Sequence, residues 1–256
     1  MGKALGRGDA VLERRLILKL LHNIFQVAGP GLSNSFDATA YLLKGRKGWF
    51  LIDCGTPEGF GQIKENIKKA GVDPAQIQLI LGTHGHYDHV GAAHLWKEES
   101  GCSLFLHERD IPQVEEGNSQ MTSASLLYGT KSVPCKVDGK INEGDIWQGE
   151  GFTVQAVYTP GHTMGSVSFV VEAGGYHLLI AGDAIWGGYS KKIGSDESVW
   201  RESLHKLTSM HFDFYTFGHV NAQLIGDADR RLKEAQMAFA NYYNPWFKTF
   251  FEEYRY

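Results

Sequence analysis

Thr83-His84-Gly85-His86-Tyr87-Asp88-His89 decides how the rest of the chain is read. Three imidazoles and one carboxylate fall within residues 84–89. The apolar run Ile77–Leu81 precedes them, and the helix-like run Val90–Ser100 follows. A turn between a strand and a helix can aim several side chains into one space. Neutral imidazole and carboxylate together suit zinc, and also iron or manganese. The plain alternative is a polar surface turn that happens to be rich in histidine. It loses weight once the downstream residues are counted.

Composition narrows the function classes. The 256 residues suffice for one large domain or two small ones, and we read 1–256 as a single domain. With 43% hydrophobic and 21% charged residues the chain is of ordinary soluble type. A net charge of −4 argues against a binder of phosphate backbones, so no nucleic-acid partner is expected. Cys54, Cys102 and Cys135 form no Cys-x-x-Cys and no disulfide framework, which fits a reducing compartment. Each reads as a small buried hydrophobe. The run Leu16–Leu21 is interrupted by Lys19 and is too short for a signal segment or a membrane span. The expectation is a cytoplasmic protein acting on a small molecule.

Along the chain, Leu16–Val27 is ambiguous between strand and helix. Ala38–Leu43 and Trp49–Ile52 read as a hairpin around Gly45–Gly48. Thr56 with Pro57 reads as the start of a helix that carries Ile63 and Ile67 and stops at Gly71. Ser103–His107 is a short strand. Residues 108–142 are irregular and rich in turn formers, as in a lid loop or a plain surface insertion. Phe152–Thr159 alternates as a strand, and Val167–Glu172 with Tyr176–Ala181 forms a second hairpin. Asp196 caps a helix with Trp200, Leu204 and Leu207 on one face. Phe214–Phe217 is a last short strand. Residues 227–256 form a C-terminal segment, begun by a helix capped by Asp227. It ends in Trp246, Phe247, Phe250, Phe251 and Tyr254, a core patch or a homodimer contact. Strands followed by helices in two halves, without strict alternation, fit an α+β fold of two face-to-face sheets with helices outside.

Three further ligand-type residues fall where a strand gives way to a loop. They are His162 in Thr159-Pro160-Gly161-His162-Thr163, Asp183 in Ala181-Gly182-Asp183-Ala184, and His219 in Phe217-Gly218-His219. Glycines beside them allow close backbone approach. From about Ala38 to His219 this set resembles the metallo-β-lactamase superfamily, with Asp53-Cys54-Gly55 similar to its Asp-Thr-Gly turn but carrying Cys54 in place of Thr. The resemblance implies a four-layer αββα sandwich with the metal site at one edge of the two sheets. It implies one metal on His84, His86 and His162, a second on Asp88, His89 and His219, and Asp183 bridging them. Asp53 would orient the ligands. Two divalent ions are implied, zinc first, with iron or manganese as alternatives. Two cations, two carboxylates and a bridging hydroxide leave a charge of about +1, suited to ionising water and binding an anionic intermediate. The implied reaction is attack of that hydroxide on an ester, lactone, thioester or amide carbonyl, with Asp88 assisting proton transfer. There is no Gly-x-Ser-x-Gly to suggest a serine nucleophile.

Within the superfamily, flavodiiron relatives usually carry Glu where this chain has His86. RNase Z-like nucleases need an RNA grip that is not evident. Glyoxalase II and the persulfide dioxygenases typically carry Gly-Arg after the bridging Asp, where this chain reads Ala184-Ile185-Trp186-Gly187-Gly188. A mononuclear iron oxygenase on His84, His162 and Asp183 is the second reading, and a silent binding protein the third. The lactonases also look similar. Leu126, Leu127 and Tyr128, with Trp186 and Tyr189, are the candidate substrate pocket.

Overall fold

Alternation along the strands builds the layers. In β3 (Tyr41–Lys44), Tyr41 and Leu43 face one core and Leu42 another; in β4 (Trp49–Ile52), Phe50 and Ile52 oppose Leu51. The same split recurs in β10 (Val167–Ala173) and β11 (Tyr176–Ile180), where Val170 and Leu179 part from their neighbours. Successive side chains of a strand point to opposite faces, so each sheet has one face on the central core and one on a helical layer. The computed structural model describes residues 18–219 and 224–240. The aromatic tail Trp246–Tyr254 lies outside the described residues.

The first sheet orders seven strands by sequence: β1 (Leu18–Leu21), β2 (Ile24–Gln26), β3, β4, β5 (Ile77–Leu81), β6 (Ser103–Leu106) and β7 (Gly139–Lys140). The second orders β13 (Ile225–Gly226), β12 (Phe214–Thr216), β11, β10, β9 (Phe152–Tyr158) and β8 (Ile146–Gln148). Helices α1 (Phe60–Lys69) and α3 (Ala93–Ser100) cover the first sheet through Ile63, Ile67 and Trp96. Helices α6 (Glu197–Thr208) and α7 (Ala228–Ala240) cover the second through Trp200, Leu204, Leu207, Leu232 and Phe239. This is the αββα sandwich. No helix of the described residues is long and apolar enough to cross a membrane.

Some local expectations need correction. The ambiguous run at 16–27 contains two short antiparallel strands, turned by Asn23 in the left-handed region at φ 62°. Helix α1 begins at Phe60, not at Pro57. The buried Asp37 carboxylate accepts from the Thr56 backbone N–H (2.8 Å) and hydroxyl (2.6 Å) and holds 56–59 as a turn. The helix expected at 90–100 is split into α2 (Tyr87–Val90) and α3, because the Ala92 N–H is taken by the Gly55 carbonyl at 2.9 Å. Residues 108–142 hold α4 (Ile111–Glu115), α5 (Ala124–Leu127) and strand β7, and they anchor Cys135 and Val137 in the core.

Topology delivers the site. β4, β5 and β6 are mutually parallel, and β9, β11 and β12 run in a common direction. Their carboxyl ends therefore open at one edge of each sheet. Backbone bonds tie those edges together: Val167 N–H donates to Thr83 O (2.7 Å), and Thr39 N–H to Gly218 O (2.7 Å).

Candidate metal centre

Strand β5 ends in Leu81 and the chain turns through Thr83 to His84, so the histidine run starts at the sheet edge. Asp53, at the end of β4, sets that turn. Its carboxylate accepts from the Thr83 N–H (2.8 Å) and hydroxyl (2.8 Å) and lies 2.7 Å from His89 Nδ1. Asp53 does so from the left-handed region, φ 56°, which a non-glycine residue holds only when its surroundings fix it. His162 follows β9, with Nδ1 2.6 Å from the Gly188 carbonyl. Asp183 follows β11 and His219 follows β12. Cys54 is fully buried in the first helical core, and burial pushes its thiol well up.

The structure brings all seven ligand-type residues into one cluster. Single ligand atoms of His84, His86 and His162 lie within 4.8 Å of one another, as do those of Asp88, His89 and His219. Asp183 lies between the sets: Oδ2 is 3.3 Å from His162 Nε2 and 3.1 Å from His219 Nε2, and Oδ1 is 3.3 Å from His89 Nε2. Asp88 Oδ2 is 3.5 Å from His89 Nε2 and 3.4 Å from His219 Nε2. His86 Nδ1 and His162 Nε2 are 3.0 Å apart.

These separations test the fit to a cation. Two ligand atoms about 2.0–2.1 Å from one tetrahedral zinc lie about 3.3–3.4 Å apart, close to the 3.0–3.5 Å seen here. Four buried atoms of the cluster, His84 Nε2, His86 Nε2, His89 Nε2 and Asp183 Oδ1, have no hydrogen-bond partner. Buried polar atoms are normally satisfied. The anchoring of His89 by Asp53 and of His162 by a carbonyl is what metal-ligating imidazoles require. The residues fit a divalent cation.

The electrostatics divide the cluster. Burial and then the neighbouring imidazoles hold His84 well below the ordinary histidine range, and burial with His162 does the same to His86. Burial lowers His162 too, although Asp183 opposes it. These rings are neutral and offer lone pairs. Burial also opposes charge on His89, but the carboxylates of Asp183, Asp88 and Asp53 outweigh it and raise the ring well above the ordinary range. His219, the exposed member, is raised against burial by Asp183 and Asp88.

A cavity of about 350 Å³ opens over the cluster. The polar residues His86, Asp88, His162, Asp183 and His219 line it together with Leu127, Tyr128, Trp186, Gly188 and Ile193. Trp186 is held at φ 65° and stacks on Phe217 at 5.7 Å. Tyr128 packs on Tyr87 at 5.4 Å, edge-on to Phe36 at 5.6 Å. Two of the expected pocket residues are elsewhere. Leu126 is half-buried outside the lining, and Tyr189 is packed in the second helical core. Sequence reading missed Ile193 and the Gly188 carbonyl. A lone apolar residue and a backbone oxygen carry no sequence signal.

Residues 35–219 match the family model of the metallo-β-lactamase superfamily. A probable metallo-hydrolase of Methanocaldococcus jannaschii is 30% identical over 59% of this chain and 68% of its own. The probable metallo-hydrolase YqgX of Bacillus subtilis is 29% identical over 80% of this chain and 93% of its own. Among solved structures, a metallo-β-lactamase variant from Cronobacter sakazakii superposes with a TM-score of 0.72 at 23% identity, covering 88% of this chain and 95% of that one. A subclass B3 metallo-β-lactamase of Bradyrhizobium japonicum gives 0.66 at 28% identity, covering 79% and 77%.

Proposed function

The chain belongs to the metallo-β-lactamase superfamily, and within it we propose a hydrolase that uses two divalent cations to cleave an ester, lactone, thioester or amide of a small molecule. One observation carries the reading: seven ligand-type side chains gather beneath a cavity, and buried His84 Nε2, His89 Nε2 and Asp183 Oδ1 among them lack a hydrogen-bond partner. His84, His86 and His162 would hold one cation, Asp88, His89 and His219 the other, and Asp183 would be shared. Zinc suits an imidazole-rich set, with iron and manganese as alternatives. The chemistry supplied by such cations is ionisation of water near neutral pH and polarisation of the carbonyl oxygen.

The chain's own residues do the rest. A carboxylate oxygen of Asp88, at the cavity wall, accepts the proton of the attacking water and passes it to the leaving group. Asp53 keeps His89 in one tautomer and orientation. Leu127, Tyr128, Trp186 and Ile193 exclude water and orient an apolar acyl or aryl group. Leu127→Ser is expected to raise KM for long-acyl lactones more than for short ones, while Leu126→Ser changes neither. Equal effects on both chain lengths count against an acyl wall.

The test is metal content and turnover on protein purified without added metal. About two equivalents of divalent metal, with hydrolysis of a lactone, ester and thioester panel and no O₂ uptake, is the expected result. One iron with O₂ consumption overturns it, and so does ligand retention without turnover. Loading should also depend on pH with a definite sign. The raised rings of His89 and His219 keep their protons to higher pH, so a cation must displace protons there. Affinity at that set therefore falls as pH falls, whereas His84, His86 and His162 are already neutral. Dialysis against zinc at pH of about 7.5 and about 5.5 should leave roughly two and roughly one equivalents. Two retained at the lower pH contradict the assignment.

A further inference from the structure

We propose that Asp110 is the positioning residue for the His84, His86 and His162 set, an inference that rests on the metal-dependent reading above. Asp110 stands at the N-cap of α4, where an aspartate ordinarily accepts from the first backbone N–H groups of its own helix. Its side chain makes no such bond. Both oxygens are instead committed to distant turns. Oδ2 accepts from the Gly85 N–H at 2.8 Å and the Thr163 hydroxyl at 2.7 Å, and Oδ1 accepts from the Gly165 N–H at 2.9 Å. Gly85 lies between His84 and His86, and Thr163 follows His162. One carboxylate, 2% exposed, thus clasps the two turns that carry all three imidazoles, one from each sheet.

The surroundings are cut to admit it. A Cβ on Gly165 would sit 2.4 Å from Asp110 Cγ, and one on Gly85 would sit 3.2 Å from Asp110 Cβ and 2.5 Å from Gln113 Nε2. A side chain at Gly165 would push the carboxylate out of its socket, and one at Gly85 would drive into Gln113 and crowd the Asp110 Cβ. Among the described residues, those lining the cavity do not include Asp110. It acts on the imidazoles through their backbone, with no contact to a bound substrate. Three donors converging on a buried carboxylate make a stiff joint, because charge-assisted bonds are the strong ones.

Asp110→Asn keeps the shape, but its amide NH₂ faces a donor where an acceptor is needed. The probe is Co²⁺, titrated into metal-stripped wild type and variant while the d–d absorption is followed, with Zn²⁺ affinity read by chelator competition. Asp88→Asn marks which phase belongs to the other set. The expected result is a cation affinity about 10–100-fold weaker at the His84, His86 and His162 set, an altered d–d band there and an unchanged second phase. In turnover, kcat falls while KM holds. Wild-type affinity and spectrum in Asp110→Asn overturn this inference alone. Equal losses at both sets with a broadened melt mean a merely structural role and also overturn it. A wild-type chain that takes up neither Co²⁺ nor Zn²⁺ overturns the metal-dependent reading together with this one. If Asp110→Asn does not fold, Thr163→Val removes one of the three bonds and is read in the same way. About fivefold weaker binding at that set is expected, and no change overturns the inference.

Discussion

Asp183→Asn is expected to cut hydrolysis about 10³-fold and to leave roughly one cation per chain in place of roughly two. Asp183 touches both halves of the cluster. Its Oδ2 is 3.3 Å from His162 Nε2 and 3.1 Å from His219 Nε2, and Oδ1 is 3.3 Å from His89 Nε2. Burial alone would push this carboxyl up, yet the surrounding His219, His89 and His162 hold it well below the usual carboxylate range. Asparagine keeps the volume but removes the charge and replaces one of the two carboxylate oxygens by an NH₂ that cannot accept or ligate. Elemental analysis with steady-state kinetics checks it. A variant that keeps two equivalents and more than a tenth of the rate would remove Asp183 from its shared position.

Gly218→Ala is the second large effect, and it tests the crowding of the same centre from the backbone side. A Cβ at 218 would lie 1.9 Å from Asp183 Oδ1 and 2.9 Å from His89 Cε1. Gly218 is not one of the left-handed glycines, so alanine suits its backbone and the added methyl is the whole perturbation. Asp183 must swing away. We expect activity to fall about 10²–10³-fold and cation affinity to fall with it, while the chain still folds. Gly61→Ala is the matched control, in α1 with nothing within 4 Å of the new Cβ. It should be slightly stabilising, by about 0.5–1 kcal/mol, with full activity. Comparable activity in the two variants would show that the cluster tolerates displacement of Asp183.

Much of this was legible from residue order, for a physical reason. The histidine turn is contiguous, and His162, Asp183 and His219 each follow a strand and sit beside glycine, so the pattern of strand ends points to them. The layers follow from strand alternation around Tyr41–Leu43 and Val167–Val171. What escaped is what depends on long-range contact. Asp110 lies in the irregular stretch 108–142, where nothing in the residue order sets it apart, because its partners are 25, 53 and 55 residues away. Thr56 reads as a helix start until the Asp37 carboxylate claims it across 19 residues. Leu126 and Leu127 are neighbours on the one-turn helix α5, too short for periodicity to show which faces the cavity. Tyr189 follows a backbone reversal at Trp186, which residue types alone do not announce.

The bond from the Thr39 hydroxyl to the Gly218 carbonyl, 2.9 Å long, joins residues 179 positions apart. It also sets a clock. The histidine turn leaves the ribosome long before His219, yet His219 reaches the cluster only when β12 has paired with β11 and its end has closed onto Thr39. Closing so long a loop is entropically costly and slow, and parallel pairing across distant segments slows folding further. The centre therefore cannot be complete before β12 is paired. A chain that stops short of β12 offers only a partial set of imidazoles, so the cluster is whole only in a polypeptide that reaches His219.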